Sequence, residues 1–115
     1  MHMVSLDHTL NALADPTRRG IVERLAQGTA TVSELVDCFD LTQPTISSHL
    51  KVLERSGLIS RSRVAQTRPC SLRPEGFRAL DAWLGRLRSV YEDNYARLDQ
   101  LLDELKNEEG KTSPR

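Results

Sequence analysis

The chain has 115 residues, 38% of them hydrophobic, and its 16 basic and 16 acidic residues leave no net charge. This length suits one domain with a modest core and is short for two. No stretch approaches the roughly 20 apolar residues of a membrane span, and the first residues lack the pattern of a secretory signal. We therefore expect a cytoplasmic protein with no membrane partner and with reduced cysteines.

The first part of the chain predicts two short amphipathic helices. Apolar residues recur at helical spacing in both, at Leu6, Leu10 and Leu13 and then at Ile21, Val22 and Leu25. Asp15-Pro16 predicts the start of the second helix, because aspartate caps a helix and proline fits its first position.

Residues 31–59 predict a helix-turn-helix. Thr31 and Glu34 have the spacing of a capping box, in which each side chain satisfies a backbone N–H at a helix start. Thr42 is a candidate N-cap for the next helix, with Pro44 in its first turn. Gly57 suits the left-handed position that follows a helix end.

The helix that begins near Thr42 has the layout of a helix that reads DNA. Ile46, Leu50 and Leu53 form one apolar stripe, so small polar and basic residues occupy the remaining sides. Such a surface can enter a major groove. The candidate DNA contacts on this helix are Gln43, Thr45, Ser47, Ser48, His49 and Lys51. From the pattern alone, a merely solvated surface remains the alternative.

A basic β-hairpin is predicted after this helix, with strands over residues 58–64 and 69–73 and a turn between them. Arg61, Arg63 and Arg68 lie in it and are candidate phosphate contacts. The charge distribution agrees, because residues 41–80 carry a net charge of +5, whereas residues 1–40 and 81–115 carry −3 and −2. Phosphates respond to local potential more than to net charge.

The pattern from Glu75 to about Lys106 predicts one long helix. Its apolar residues follow a heptad repeat with a single polar member, Asn94. A helix of this length spans roughly 48 Å at about 1.5 Å per residue. A domain of this size cannot easily cover such a helix, so a second subunit is the expected packing partner. A helix folded over the core of its own chain is the alternative. The predicted dimer interface contains Leu6, Leu10, Leu84, Leu87, Tyr91, Leu98 and Leu101.

The predicted fold is mostly α with a small β-hairpin: four helices, two strands and a long C-terminal helix. This is the order of a winged helix-turn-helix with helical extensions at both ends. We expect one DNA-binding and dimerisation domain over residues 1–106 and a disordered tail over 107–115, which is polar and contains Gly and Pro. A two-fold dimer would present two recognition helices to half-sites about one DNA turn apart.

The sequence resembles the ArsR/SmtB family of bacterial transcriptional regulators over most of its length. The residues that carry the resemblance are 12–19 (ALADPTRR), 32–35 (VSEL), 43–53 (QPTISSHLKVL) and 57–59 (GLI). The resemblance implies a homodimeric repressor that binds a double-stranded operator through the helix starting at Gln43. It also implies a wing near phosphates or the minor groove, and a dimer interface formed by the first and last helices.

The chain departs from the metal-sensing members of that family. Those members often carry a Cys-Val-Cys pair, and the matching positions here are Thr31-Val32-Ser33. Other members bind zinc through the last helix, yet residues 75–106 contain neither His nor Cys. Zinc needs three or four converging ligands. We therefore expect no metal site and no cofactor, and interpret Cys38 as a small packed residue.

Three functions compete at this point. The leading one is a DNA-binding repressor with its own operon as a candidate target, and its small-molecule inducer is unknown. The second adds a thiol or redox switch at Cys38 and Cys70. The third is a winged-helix adaptor that binds another protein through the long helix, although its basic hairpin argues against this. No enzyme is expected, because the sequence contains no catalytic constellation.

Overall fold

The computed structural model describes residues 5–63 and 66–112, with side chains for 5–63 and 66–109. The elements in chain order are α1 (Leu6–Leu13), α2 (Pro16–Leu25), α3 (Val32–Phe39), α4 (Gln43–Arg55), β1 (Ile59–Arg61), β2 (Cys70–Leu72), a 3-10 helix (Pro74–Phe77) and α5 (Arg78–Thr112). This order confirms the predicted winged helix-turn-helix. Of the predicted hairpin, Val64 and Ala65 lie outside the described residues. No described helix combines the length and apolar character needed to cross a bilayer.

Three of the first four helices, α2, α3 and α4, begin where the sequence predicted their caps, and α1 begins at a cap that was not predicted. Ser5, Asp15, Thr31 and Thr42 are the N-caps, and each side chain accepts a hydrogen bond from the backbone N–H three residues later. The predicted capping box is complete, because the Glu34 carboxylate also accepts from the Thr31 N–H at 2.9 Å. These bonds satisfy donors that a helix start leaves unpaired.

The end of α4 is a Schellman turn that leads directly into β1. Gly57 has a φ of 76°, as predicted for the residue after a helix end. Its N–H donates to the Glu54 carbonyl at 3.0 Å, and the Leu58 N–H donates to the Leu53 carbonyl at 3.0 Å. The two bonds satisfy carbonyls at the helix end, so the hairpin starts at a fixed angle to α4.

The hairpin is anchored at its base on both sides. β1 and β2 pair antiparallel, with Ile59 opposite Leu72 and Arg61 opposite Cys70. On its other side, Cys70 exchanges two backbone hydrogen bonds with Ala30, of 2.7 and 3.2 Å. This second pairing was not predicted. It ties the hairpin to the segment that precedes α3.

The chain divides into two compact units after Asp81. The winged-helix unit, up to Asp81, holds a core contributed by all four short helices and both strands, whose fully buried members include Ile21, Leu35, Ile46, Leu50, Leu53, Leu58 and Ile59. The C-terminal unit, from Ala82, is one continuous helix in which no side chain between Ala82 and Glu109 is buried. A single domain over residues 1–106 stays a prediction.

The bounds of α5 differ from the predicted ones at both ends. Residues Pro74–Phe77 form a 3-10 helix, so α5 begins at Arg78 and not at Glu75. At the other end, the helix continues past Lys106 to Thr112. The tail predicted as disordered, 107–115, is therefore helical in its first part, and residues 113–115 lie outside the described residues. Polar helix-forming residues such as Lys106 and Glu108 can extend a helix without an apolar pattern.

Candidate nucleic-acid interface

One side of α4 is exposed and polar because the opposite side enters the core. Ile46, Leu50 and Leu53 are fully buried. The exposed members of the predicted DNA contacts are Gln43, Thr45, Ser48 and Lys51, and Ser47 is half-buried. The periodicity of α4 therefore separates a packing side from an exposed side as the sequence predicted.

The hydroxyl of Thr45 is held in place by the helix cap. The Thr42 hydroxyl accepts from the Thr45 backbone N–H at 3.4 Å and donates to the Thr45 hydroxyl oxygen at 2.9 Å. Because the oxygen of Thr45 accepts this bond, its own proton is left to donate elsewhere. The first turn of α4 thus presents an oriented donor on its exposed side.

A polar groove of about 410 Å³ joins α3, α4 and the hairpin. Its walls are formed by Val32, Ser33, Gln43, Ser47, Arg61, Gln66, Thr67 and Arg68. Four predicted contact residues, two from α4 and two from the hairpin, therefore share one concave surface. A smaller cleft of about 90 Å³ places Arg63 beside Arg61 and Arg68, together with Glu54 and Ser62.

Arg61 differs from the other two arginines of the hairpin. Its side chain is only 19% exposed, whereas Arg63 and Arg68 are exposed. Its Nε lies 3.9 Å from the Glu54 carboxylate, too far for a hydrogen bond. Its Nε and Nη2 atoms are buried and have no hydrogen-bond partner in the part of the chain described. A buried donor without a partner is unfavourable, so this guanidinium would gain from an anion.

His49 differs in its surroundings from the exposed predicted contacts of α4. Its ring is half-buried and faces the start of α2, where Nδ1 lies 3.3 Å from Arg18 Nη1 and 3.9 Å from Asp15 Oδ2. Like Thr45, Ser48 and Lys51, it borders neither of the two clefts at the hairpin, but unlike them it is half-buried. The sequence placed His49 beside the apolar stripe of α4, and the structure shows that α2 covers this edge.

The two cysteines have opposite environments, and neither is in a disulfide. Cys38 is exposed, so the interpretation of a packed residue was wrong. The buried stripe of α3 runs through Leu35 and continues to Phe39, which leaves Cys38 off to one side. Cys70 is buried in β2, and burial raises the pKa of its thiol, because a thiolate is poorly solvated there.

The positions that correspond to the metal-binding cysteines of the resembled family perform another role here. Thr31 is the N-cap of α3, and Ser33 lies exposed in its first turn. Within residues 5–63 and 66–109, no three His, Cys, Asp or Glu side chains are grouped so that they could hold a metal ion.

Most of the predicted dimer residues are exposed. On α5 these are Leu84, Leu87, Tyr91, Leu98 and Leu101, which are 38% to 62% exposed. On α1, Leu10 is 40% exposed and Leu6 is half-buried. The rings of Tyr91 and Tyr95, one helical turn apart, stack with centroids 6.5 Å apart. The α5 residues among them form an exposed apolar surface along that helix.

Known protein sequences match the helix-turn-helix and, in one relative, most of the chain. Residues 15–61 match the family described as "Bacterial regulatory protein, arsR family". The HTH-type transcriptional regulator Rv2034 of Mycobacterium tuberculosis is 40% identical over 94 residues, which cover 82% of this chain and 88% of that protein. The transcriptional repressor SdpR of Bacillus subtilis is 34% identical over 61 residues, or 53% of this chain and 68% of SdpR.

Solved structures agree with the sequence comparisons. The crystal structure of an ArsR family transcriptional regulator, RHA00566, is 41% identical with a TM-score of 0.67, covering 76% of this chain and 90% of that one. The homodimeric winged helix-turn-helix DNA-binding domain of Mb0332 from Mycobacterium bovis shares the fold, at 24% identity and a TM-score of 0.60, covering 73% and 78%. Rv2034, SdpR and RHA00566 are each described as a transcriptional regulator or repressor. The resemblance seen in the sequence is thus confirmed, and this chain belongs to the ArsR family of DNA-binding transcriptional regulators.

Proposed function

We propose that this protein is a homodimeric repressor that binds a specific operator upstream of its own gene and does not sense metals at the family's usual sites. The observation that carries the proposal is the groove between α4 and the hairpin, because it joins Gln43 and Ser47 to Arg61 and Arg68. Side chains that can contact bases and side chains that can contact phosphates thus share one surface. The name of SdpR, a repressor, supports the direction of regulation.

The base contacts are assigned to the exposed side of α4. Gln43 can bind adenine through two hydrogen bonds, and Lys51 can donate to guanine or to a nearby phosphate. Thr45 and Ser48 are short enough to let the helix backbone approach the base edges. Ser47 lies at the groove between the two sets of contacts.

The phosphate contacts are assigned to the hairpin. Arg63 and Arg68 are exposed and free to follow the DNA backbone, whereas Arg61 offers buried donors that lack a hydrogen bond. Each phosphate neutralised by such a residue releases counterions, so affinity should fall steeply as salt rises.

The dimer follows from the exposed apolar residues of α5. Between Ala82 and Glu109 no side chain of α5 is buried, whereas helices in proteins are stabilised mostly by packing of an apolar side. A second copy of the chain would cover Leu84, Leu87, Leu98 and Leu101 along the heptad seam. Asn94, the polar member of that seam, would set its register. Mb0332, which shares the fold, is homodimeric.

We expect that neither zinc nor thiol oxidation is the signal that releases this protein from its operator. Thr31 and Ser33 offer no thiolate. Among the described residues, no three His, Cys, Asp or Glu side chains are grouped to supply the ligands that zinc needs. A switch between Cys38 and Cys70 loses support because Cys70 is buried with a raised pKa, and the thiolate is the reactive form.

The test is DNA binding by a charge-reversed interface. Lys51→Glu combined with Arg63→Glu should weaken binding to the DNA upstream of its own gene by about a hundredfold at fixed salt, because one base-side and one phosphate-side contact are reversed. The matched control is Arg86→Glu with Lys106→Glu, which makes the same change in charge on exposed residues of α5 outside the heptad seam.

Fluorescence anisotropy measures both double variants, and sedimentation velocity measures their oligomeric state. If both double variants lose affinity equally, the effect is one of net charge and the proposed surface is wrong. Added zinc should leave wild-type affinity unchanged, and release of the operator by zinc would overturn the assignment of the signal.

A further inference from the structure

Two arginines of α2 satisfy the carbonyl groups at the end of α1. Arg18 donates from Nε to the Ala12 carbonyl at 2.6 Å and from Nη2 to the Asn11 carbonyl at 3.3 Å. Arg19 donates from Nη1 to the Leu13 and Ala14 carbonyls at 2.8 and 3.1 Å. Carbonyls at a helix end have no partner within the helix and carry its partial negative charge, so two cations are well placed there.

Arg18 makes one contact that Arg19 does not make. Its Nη1 lies 3.3 Å from Nδ1 of His49 on α4. A guanidinium can only donate, so Nδ1 must accept, and the ring proton of a neutral His49 is on Nε2. The same guanidinium therefore donates hydrogen bonds to carbonyls at the end of α1 and to a ring nitrogen in the middle of α4.

The surroundings of this contact favour a fixed geometry. The His49 side chain is 18% exposed. Asp15 accepts from the backbone N–H of Arg18 at 3.0 Å, and its carboxylate lies 3.9 Å from His49 Nδ1. The planar guanidinium is thus held by two carbonyls on one side and by a ring nitrogen on the other. A rotation of α4 about its axis would break the last of these bonds.

We propose that Arg18 and His49 are positioning residues, which hold α4 in the orientation that operator binding requires without contacting DNA. The inference rests on the proposed function, because it takes α4 as the helix that reads the operator. It assigns His49 a role that its sequence position did not show. It also connects the reading helix to α1, which carries Leu10 of the proposed dimer surface.

Three variants test the contact. His49→Leu removes the acceptor, and His49→Asn keeps an acceptor near the position of Nδ1. Arg18→Met removes the guanidinium but keeps the apolar stem. The matched control is Arg19→Met, because Arg19 caps the same helix end but does not reach His49.

The expected result is a change in specificity that stability does not explain. His49→Leu and Arg18→Met should each reduce the ratio of specific to non-specific DNA affinity by about tenfold, the scale of one charge-assisted hydrogen bond. His49→Asn should recover most of that ratio. The double variant, His49→Leu with Arg18→Met, should be no worse than either single variant. Arg19→Met should lower the Tm about as much as Arg18→Met and leave the ratio unchanged.

Several results would overturn the inference. Equal losses in His49→Asn and His49→Leu, additive losses in the double variant, or an equal loss in Arg19→Met would each show that the contact has no positioning role. NMR of the ring nitrogens gives a reading independent of DNA, and a proton found on Nδ1 would exclude the contact. Failure of the proposed function has a different signature, since Lys51→Glu with Arg63→Glu would then bind DNA as wild type does.

Discussion

The winged-helix unit and the C-terminal unit carry apolar residues in equally regular patterns but use them differently. In the first, Ile46, Leu50 and Leu53 of α4 are fully buried against other elements of the same unit. In the second, Leu84, Leu98 and Leu105 are 41% to 49% exposed. The same periodicity therefore marks a surface buried within the chain in one unit and, in the other, an exposed surface that the proposed dimer would cover.

The first prediction concerns a glycine in each unit and has the largest expected effect. A Cβ at Gly76 would lie 2.0 Å from the Gly57 carbonyl oxygen, whereas one at Gly85 on α5 would meet nothing within 4 Å. Gly76→Ala should destabilise the protein by about 4 kcal/mol or more, because backbone must move. Gly85→Ala should stabilise it by up to about 1 kcal/mol, as in an open helix.

Urea unfolding followed by circular dichroism measures both glycine variants. A destabilised Gly85→Ala would show that this side of α5 is closely packed by a second chain, which would sharpen the contrast between the units. A mild Gly76→Ala would contradict the tight approach of the two backbone segments.

The second prediction compares a leucine from each unit. Leu50→Ala should cost about 3 kcal/mol through the cavity that it leaves, at any protein concentration. Leu98→Ala should cost less in dilute protein and more in concentrated protein, because the proposed dimer would pack it against a second copy of the chain. Unfolding at two protein concentrations separates the two behaviours. A Leu98→Ala effect that does not depend on concentration would argue against the dimer.

The third prediction is the smallest and concerns a cap within the winged-helix unit. The Thr31 N–H donates to the Glu34 carboxylate, which lowers the pKa of Glu34. A group with a lowered folded-state pKa stabilises the fold above its unfolded pKa and loses that effect as the pH falls through the folded pKa. The Tm advantage of wild type over Glu34→Gln should therefore shrink on acidification.

The control for this cap is Glu23→Gln, which removes an exposed carboxylate from α2 outside any helix start. Melting curves between about pH 3 and pH 7 follow both variants through the carboxyl range. An advantage over Glu34→Gln that is constant with pH would mean that the carboxylate charge is unimportant to the cap.

Features set by neighbours in sequence were predictable, and those set by distant residues were not. The caps at Asp15, Thr31 and Thr42 depend on contacts three residues away, so the sequence shows them directly. The contact between His49 and Arg18 joins residues 31 positions apart, and no local pattern reveals it. The partial burial of Arg61 likewise depends on how the hairpin packs against α4.

The sequence predicted the environment of some residues of the candidate interface and not of others. The exposure of Thr45, Ser48 and Lys51 follows from the apolar stripe of α4, since opposite sides of a helix have opposite environments. His49 lies at the border of that stripe, where periodicity alone does not decide between solvent and a neighbouring helix. The arginines that cap α1 were part of a recognised motif, yet their carbonyl partners became visible only in three dimensions.

The exposed side of α4 also has a consequence for conformational entropy. Thr45, Ser47 and Ser48 have short side chains with few rotamers, and the Thr45 hydroxyl is already held by Thr42. Fixing such groups against a ligand loses far less rotamer freedom than fixing lysine or arginine. Contacts through Thr45, Ser47 and Ser48 would thus form with little ordering, and most of the side-chain entropy loss on association would fall on Gln43, Lys51 and the arginines of the hairpin. The salt dependence of binding should therefore respond to the arginines of the hairpin and little to Thr45 or Ser48.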